Sequence, residues 1–82
     1  MKLPVIRHFQ RNNTPEQIQS CIELLESYSE YSRITDEEMD IIGELITNLC
    51  GAVEVHQMIA DGMHERDAAN AFAKKVLGSI DQ

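Results

Sequence analysis

Two cysteines are the residues with the clearest capacity for chemistry in this sequence. Cys21 and Cys50 form no C-x-x-C pair, and they are too few for a secreted disulfide framework or a four-cysteine zinc site. No basic residue or helix start lies beside either thiol to favour the reactive thiolate. We therefore expect structural cysteines, with Cys21 buried in an apolar helix face and Cys50 at the edge of another. The alternative is a reversible disulfide, if the two helices bring these thiols face to face.

The histidines lack the spacing of a metal site. A di-iron bundle needs Glu-x-x-His, whereas Glu54 and His56 are two residues apart and point to different sides of a helix. We expect no metal, and we expect His56 to be a core histidine bonded to a carboxylate or carbonyl. The sequence also contains no glycine-rich phosphate loop and no G-x-S-x-G elbow. It therefore predicts no cofactor and no enzymatic activity.

The elements that position these residues are helices with strong start signals. Thr14-Pro15-Glu16-Gln17 and Thr35-Asp36-Glu37-Glu38 each have the pattern of a capping box. The first predicts a helix that ends near residues 31–33, and the second predicts a helix from Asp36 to Asp61-Gly62, where glycine would cap the C-terminus. A third helix is predicted over residues 64–79. Residues 3–11 fit a short helix better than a strand.

Length and composition predict one small all-α domain over residues 1–82, with three main helices, a long central helix and a short N-terminal element. The 82 residues are 43% hydrophobic and carry a formal charge of −7. This composition excludes disorder, and no apolar run of about 18 residues is present to span a bilayer. The N-terminal apolar patch is too short for a signal peptide, so we expect a cytoplasmic protein with no membrane contact.

The predicted central helix is too long for the rest of the chain to cover. Its 26 residues would extend about 39 Å, whereas a compact domain of this size is about 30 Å across. Gly43, Thr47 and Gly51 lie four residues apart on one face, and glycine inside an exposed helix costs about 1 kcal/mol relative to alanine. Either the helix kinks at Gly51, or a partner backbone approaches this ridge. We favour a second copy of the chain, which predicts a homodimer.

Charge is unevenly distributed along the chain. Residues 1–15 carry only positive charges, whereas residues 16–65 carry twelve acids and one arginine. Nucleic-acid binding requires a basic face, which only Arg7, His8 and Arg11 could supply, so we expect no nucleic-acid partner. Glu37, Asp40 and Glu44 form an acidic stripe that we predict to be the charged rim of the interface.

Four segments resemble a family of small uncharacterised proteins of Bacteroidetes bacteria. These segments are residues 1–8, 36–46, 51–56 and 76–81. Members of that family are often encoded near peroxiredoxin and thioredoxin genes, so the resemblance implies an accessory role in thiol redox or peroxide defence. In relatives the position of Cys50 is often tyrosine or methionine, which weakens a catalytic role for it.

These observations favour a non-enzymatic protein-interaction module that self-associates. The alternative function is an accessory redox protein that exchanges disulfides with a thioredoxin or peroxiredoxin through Cys21 and Cys50.

Overall fold

The computed structural model describes residues 2–80, with side chains described for residues 2–76. Residues 2–80 form four helices and no strand, so the all-α prediction is confirmed. The predicted short N-terminal element is a full ten-residue helix. The helices are α1 (Leu3–Asn12), α2 (Pro15–Ser29), α3 (Asp36–Ala60) and α4 (Glu65–Ile80). The helical spacing of residues 68–80 predicts that Ile80 faces inward, but its side chain lies outside the described residues.

Local capping interactions set the predicted helix ends. The Thr14 and Thr35 hydroxyls each accept a hydrogen bond from the backbone N–H three residues later. In return, the side-chain oxygens of Gln17 and Glu38 accept from the backbone N–H of the threonine. At the end of α3, the backbone of Gly62 adopts φ +111°, which residues other than glycine rarely adopt. The Met63 N–H bonds to the Met58 carbonyl at 3.1 Å, which completes a Schellman cap. Helix α2 ends at Ser29, earlier than predicted.

Helix α3 is one continuous element from Asp36 to Ala60 and is not interrupted at Gly51. Helices α1, α2 and α4 all pack against α3. The buried core contains two residues from α2, three from α4 and Ile6 from α1, all packed around α3. The buried apolar residues are Ile6, Ile18, Ile22, Ile42, Leu49, Ala52, Val55, Ala68, Ala69 and Phe72.

Three contacts show that α1 runs in the same direction as α3. The Lys2 backbone N–H donates to Asn48 Oδ1 at 3.0 Å, and Ile6 contacts the backbone at Gly51. At the other end of α1, the carbonyl of Asn13 bonds to His56 Nε2 at 2.8 Å. Helix α1 therefore begins at the level of Asn48 and covers only the C-terminal half of α3.

Candidate interaction surface

The N-terminal half of α3 extends beyond the helices that cover the rest of it. One stripe of α3 side chains, spaced four and three residues apart, runs along the face on which α1 packs. Asn48 and Val55 in this stripe are buried, whereas Ile41 is 58% exposed. The complete stripe is Ile41, Leu45, Asn48, Ala52 and Val55. Because α1 begins beside Asn48, the stripe is uncovered from Leu45 toward the N-terminus of α3.

We call the face of residues 36–47 that is turned away from α2 the ledge. It presents apolar, small and acidic side chains, and five of the six residues predicted for the interface lie here. An added Cβ at Gly43 would meet nothing within 4 Å, and the Thr47 hydroxyl donates to the Gly43 carbonyl at 2.8 Å. The exposed ledge residues are Glu37, Asp40, Ile41, Gly43, Glu44 and Thr47.

The prediction that Gly51 contacts a second copy is wrong. Gly51 is buried, and a Cβ added there would lie 2.9 Å from Ile6 Cδ1 and 3.1 Å from Phe72 Cζ. The close approach that its lack of a side chain permits is therefore made within the chain, by α1 and α4. Gly51 shares the four-residue spacing of Gly43 and Thr47 but lies farther along α3, where α1 and α4 cover the helix.

The helical spacing of Ile41 predicts that it widens the buried apolar face of α3, yet its side chain is 58% exposed. A helical wheel gives the direction of a side chain but does not show how far a neighbouring helix reaches along the axis. The stripe spacing was visible in the sequence, but the point along α3 at which α1 begins was not.

A shallow groove of about 260 Å³ lies where the N-terminus of α1 meets the ledge. Its apolar lining comes from Val5, Ile41 and Leu45. Lys2 and Glu44 border it, and their charged atoms are 3.8 Å apart. Because both of these side chains are more than half exposed, this ion pair contributes little to stability and remains available to a partner.

Both cysteines are free and exposed, so the expectation that Cys21 is buried is wrong. Cys21 lies two turns before Tyr28, whose hydroxyl donates to Glu38, whereas Cys50 lies one turn before Glu54, which pairs with Lys75 of α4. Glu38 and Glu54 are sixteen residues apart, which at about 100° per residue places them about 160° apart around α3. The two thiols therefore lie at opposite edges of the α2–α3 pair and do not face each other.

The prediction that His56 hydrogen-bonds to a carboxylate or carbonyl is confirmed. His56 is partly buried, and its Nε2 bonds to the carbonyl of Asn13, the residue that caps α1. Because a carbonyl only accepts, Nε2 carries the proton. His8 and His64 are exposed. Among the described side chains, no group of three or more His, Cys, Asp or Glu residues is placed to hold a metal ion.

The outer side of α1 is basic and lies on the same side of α3 as the ledge. His8 and Arg11 are exposed, and Arg7 is partly buried. Both arginines pair with Glu65 at the start of α4, Arg7 at 3.9 Å. The charged surface is therefore divided between a basic α1 and an acidic ledge.

Comparison of the chain with known protein families identifies one family, and its function is unknown. Residues 1–81 match a family of unknown function, DUF6952. No curated protein and no solved structure matches the chain. Within residues 2–80, no helix is long and apolar enough to cross a membrane.

Proposed function

Since the chain belongs to the DUF6952 family, whose function is unknown, its function has to be argued from its own surface, and we propose that it is a non-enzymatic protein-interaction module that self-associates through the ledge. The observation that carries this proposal is the 58% exposure of Ile41 on a stripe whose later members Asn48, Ala52 and Val55 are buried. An apolar side chain in that position gains from contact with a second surface. The expected assembly is a homodimer.

The residues around Ile41 support a protein partner. Gly43 and Thr47 let another backbone approach closely, because Gly43 has open space around it and the Thr47 hydroxyl is already bonded within the helix. Glu37, Asp40 and Glu44 lie on the helix surface between Ile41 at one edge of the ledge and Gly43 at the other. The ledge therefore combines an apolar edge, an acidic middle and an edge of small residues.

The test compares two exposed apolar residues at opposite ends of α3. Replacing Ile41 with Gln should weaken self-association in sedimentation equilibrium, because it removes the exposed apolar side chain of the ledge. Met63, which is 45% exposed in the turn after α3, provides the matched control, so Met63→Gln should leave association unchanged. Both variants should unfold within about 0.5 kcal/mol of the parent protein, as is usual for surface substitutions. A parent protein that is monomeric at every concentration would refute self-association.

The exposure of both thiols favours a second candidate function, disulfide exchange with a thioredoxin or peroxiredoxin. In that exchange, the thiolate of Cys21 or Cys50 would attack one sulfur of the partner's disulfide. A mixed disulfide forms as the partner's S–S bond breaks, and the second partner sulfur leaves as a thiolate. No further oxidant is required. Because the two thiols lie at opposite edges, each would react separately and not as a pair.

Trapping distinguishes this candidate. The Cys21→Ser and Cys50→Ser variants are each incubated with an oxidised thioredoxin, and mixed disulfides are detected by non-reducing electrophoresis and intact mass. Formation of a complex by one variant and its loss in the other would identify the reacting thiol. If neither thiol of the folded protein reacts, the redox function is excluded and the interaction module is unaffected.

A further inference from the structure

We propose that two copies form a two-fold symmetric antiparallel dimer in which α1 of each copy lies along the ledge of the other. This inference rests on the proposed self-association and adds its geometry. Helix α1 occupies the C-terminal half of one face of α3, and the ledge is the empty N-terminal half of that face. Rotation by 180° about an axis near Lys2 places each α1 over the second copy's ledge. Both halves of the contact are then identical, as an isologous interface requires.

The lengths of the two surfaces match. Helix α1 has ten residues and is about 15 Å long, and residues 36–47 of α3 extend about 18 Å. The hydrogen bond from the Lys2 backbone to Asn48 fixes the boundary between the covered and empty parts of α3. The ledge therefore provides the length that a second α1 requires.

The charges of the two surfaces are opposite. Residues 2–13 contain three basic residues and no acid, whereas residues 36–47 contain five acids and no basic residue. An interface that paired ledge with ledge would bring like charges together, which costs several kcal/mol. Pairing α1 with the ledge brings opposite charges together at both halves of the dimer. Charge complementarity therefore selects this arrangement over direct ledge-to-ledge packing.

The residue spacings also match in the antiparallel direction. Pro4, His8 and Arg11 are exposed along the outer side of α1, with separations of four and then three residues. Read toward the start of α3, the acidic residues have the same separations, because Asp40 lies four residues before Glu44 and Glu37 lies three before Asp40. This register places Arg11 of each copy beside Glu37 of the other and His8 beside Asp40.

The groove at the end of α1 lies at the symmetry axis in this arrangement. Leu45 and Ile41 of each copy then lie against the N-terminal part of the other copy's α1, which carries Val5, and these apolar surfaces become buried. Lys2 and Glu44 border this centre in both copies. The dimer therefore has an apolar centre between two charged flanks.

The decisive experiment reverses charges singly and together. Arg11→Glu and Glu37→Arg should each raise the dimer dissociation constant at least tenfold, measured by sedimentation equilibrium at concentrations from about 1 to about 500 μM. The double variant Arg11→Glu/Glu37→Arg should return to within about threefold of the parent protein, because both intermolecular pairs are restored with inverted sign. The exposed Arg11–Glu65 pair within each copy stays broken in Arg11→Glu and in the double variant alike, so it does not affect the comparison between them. Circular dichroism confirms that each variant is folded.

Glu16→Arg is the matched control. Glu16 and Glu37 are each the second residue of a helix that follows a threonine capping box, so both reversals have the same cost at the helix start and the same effect on net charge. Glu16 lies on α2 and outside the ledge, so its reversal should leave the dimer unchanged.

Each outcome has a separate consequence. Loss of the dimer with each single reversal and its recovery in the double variant support the α1–ledge geometry. A dimer that tolerates both single reversals overturns this geometry while self-association stands. A parent protein that is monomeric throughout the concentration range overturns both proposals.

Discussion

At the scale of single residues, His56 has a structural role that its position on α3 explains. Its Nε2 bonds to the Asn13 carbonyl, the first backbone group after α1. This bond holds the C-terminal end of α1 against α3, and the Lys2–Asn48 bond holds the start of α1. The sequence predicted the bond because an isolated histidine on a helix face needs a partner, but the identity of the carbonyl depended on where α1 ends.

The residue-scale prediction concerns this bond. Replacing His56 with Phe keeps a ring in the site but removes the donor, so the partly buried carbonyl of Asn13 loses its partner. The free energy of unfolding should fall by about 1–2 kcal/mol. His56→Gln retains a donor and should cost less than half as much. Urea denaturation followed by circular dichroism measures both, and an equal loss in the two variants would show that packing dominates over the hydrogen bond.

At the scale of helices, the sequence largely predicted where each helix begins and ends, but it did not predict which part of α3 each neighbouring helix covers. Thr14, Thr35 and Gly62 act through bonds within a few residues, so their effect can be inferred from local sequence. The burial of Gly51 and the exposure of Ile41 depend instead on how far α1 reaches along α3. Two parts of a helix with the same residue pattern differ in burial when another helix packs against only one of them.

The element-scale prediction compares two glycines of α3. Gly51→Leu should lower stability by about 2–3 kcal/mol, because its side chain would overlap Ile6 and Phe72 in the packed core. Gly43→Ala should raise stability by about 0.5–1 kcal/mol, since the site is open and alanine favours helix. Thermal unfolding measures both changes. Destabilisation by both substitutions would indicate that Gly43 is also in close contact with another group.

At the scale of the whole molecule, shape and charge act together. The protein measures 43 × 31 × 17 Å, so it is thin in one direction and much of its apolar surface lies near solvent. Its formal charge of −7 opposes association of identical copies. At a centre separation of about 25 Å, two such charges repel by about 8 kcal/mol in unscreened water. Salt at 0.1 M reduces this to below about 1 kcal/mol, because the Debye length falls to about 10 Å.

The whole-molecule prediction follows from these magnitudes. Self-association should be weak at about 10 mM salt, where the net repulsion acts over about 30 Å, and strongest near about 0.1 M. Toward about 1 M salt it should weaken again, because the contacts between α1 and the ledge are then screened as well. Sedimentation across this salt series measures the trend. Association that strengthens steadily up to 1 M would indicate an interface held by apolar contact alone.

The meeting of Ile6 and Phe72 over Gly51 also has a consequence for synthesis on the ribosome. Helices α1, α2 and α3 are made first, and each carries part of the core. The site at Gly51 stays open on one side until Phe72 of α4 has been added and has left the ribosome. A nascent chain that stalls before that point exposes this apolar site, and exposed apolar surface on an unfinished chain is what chaperones bind.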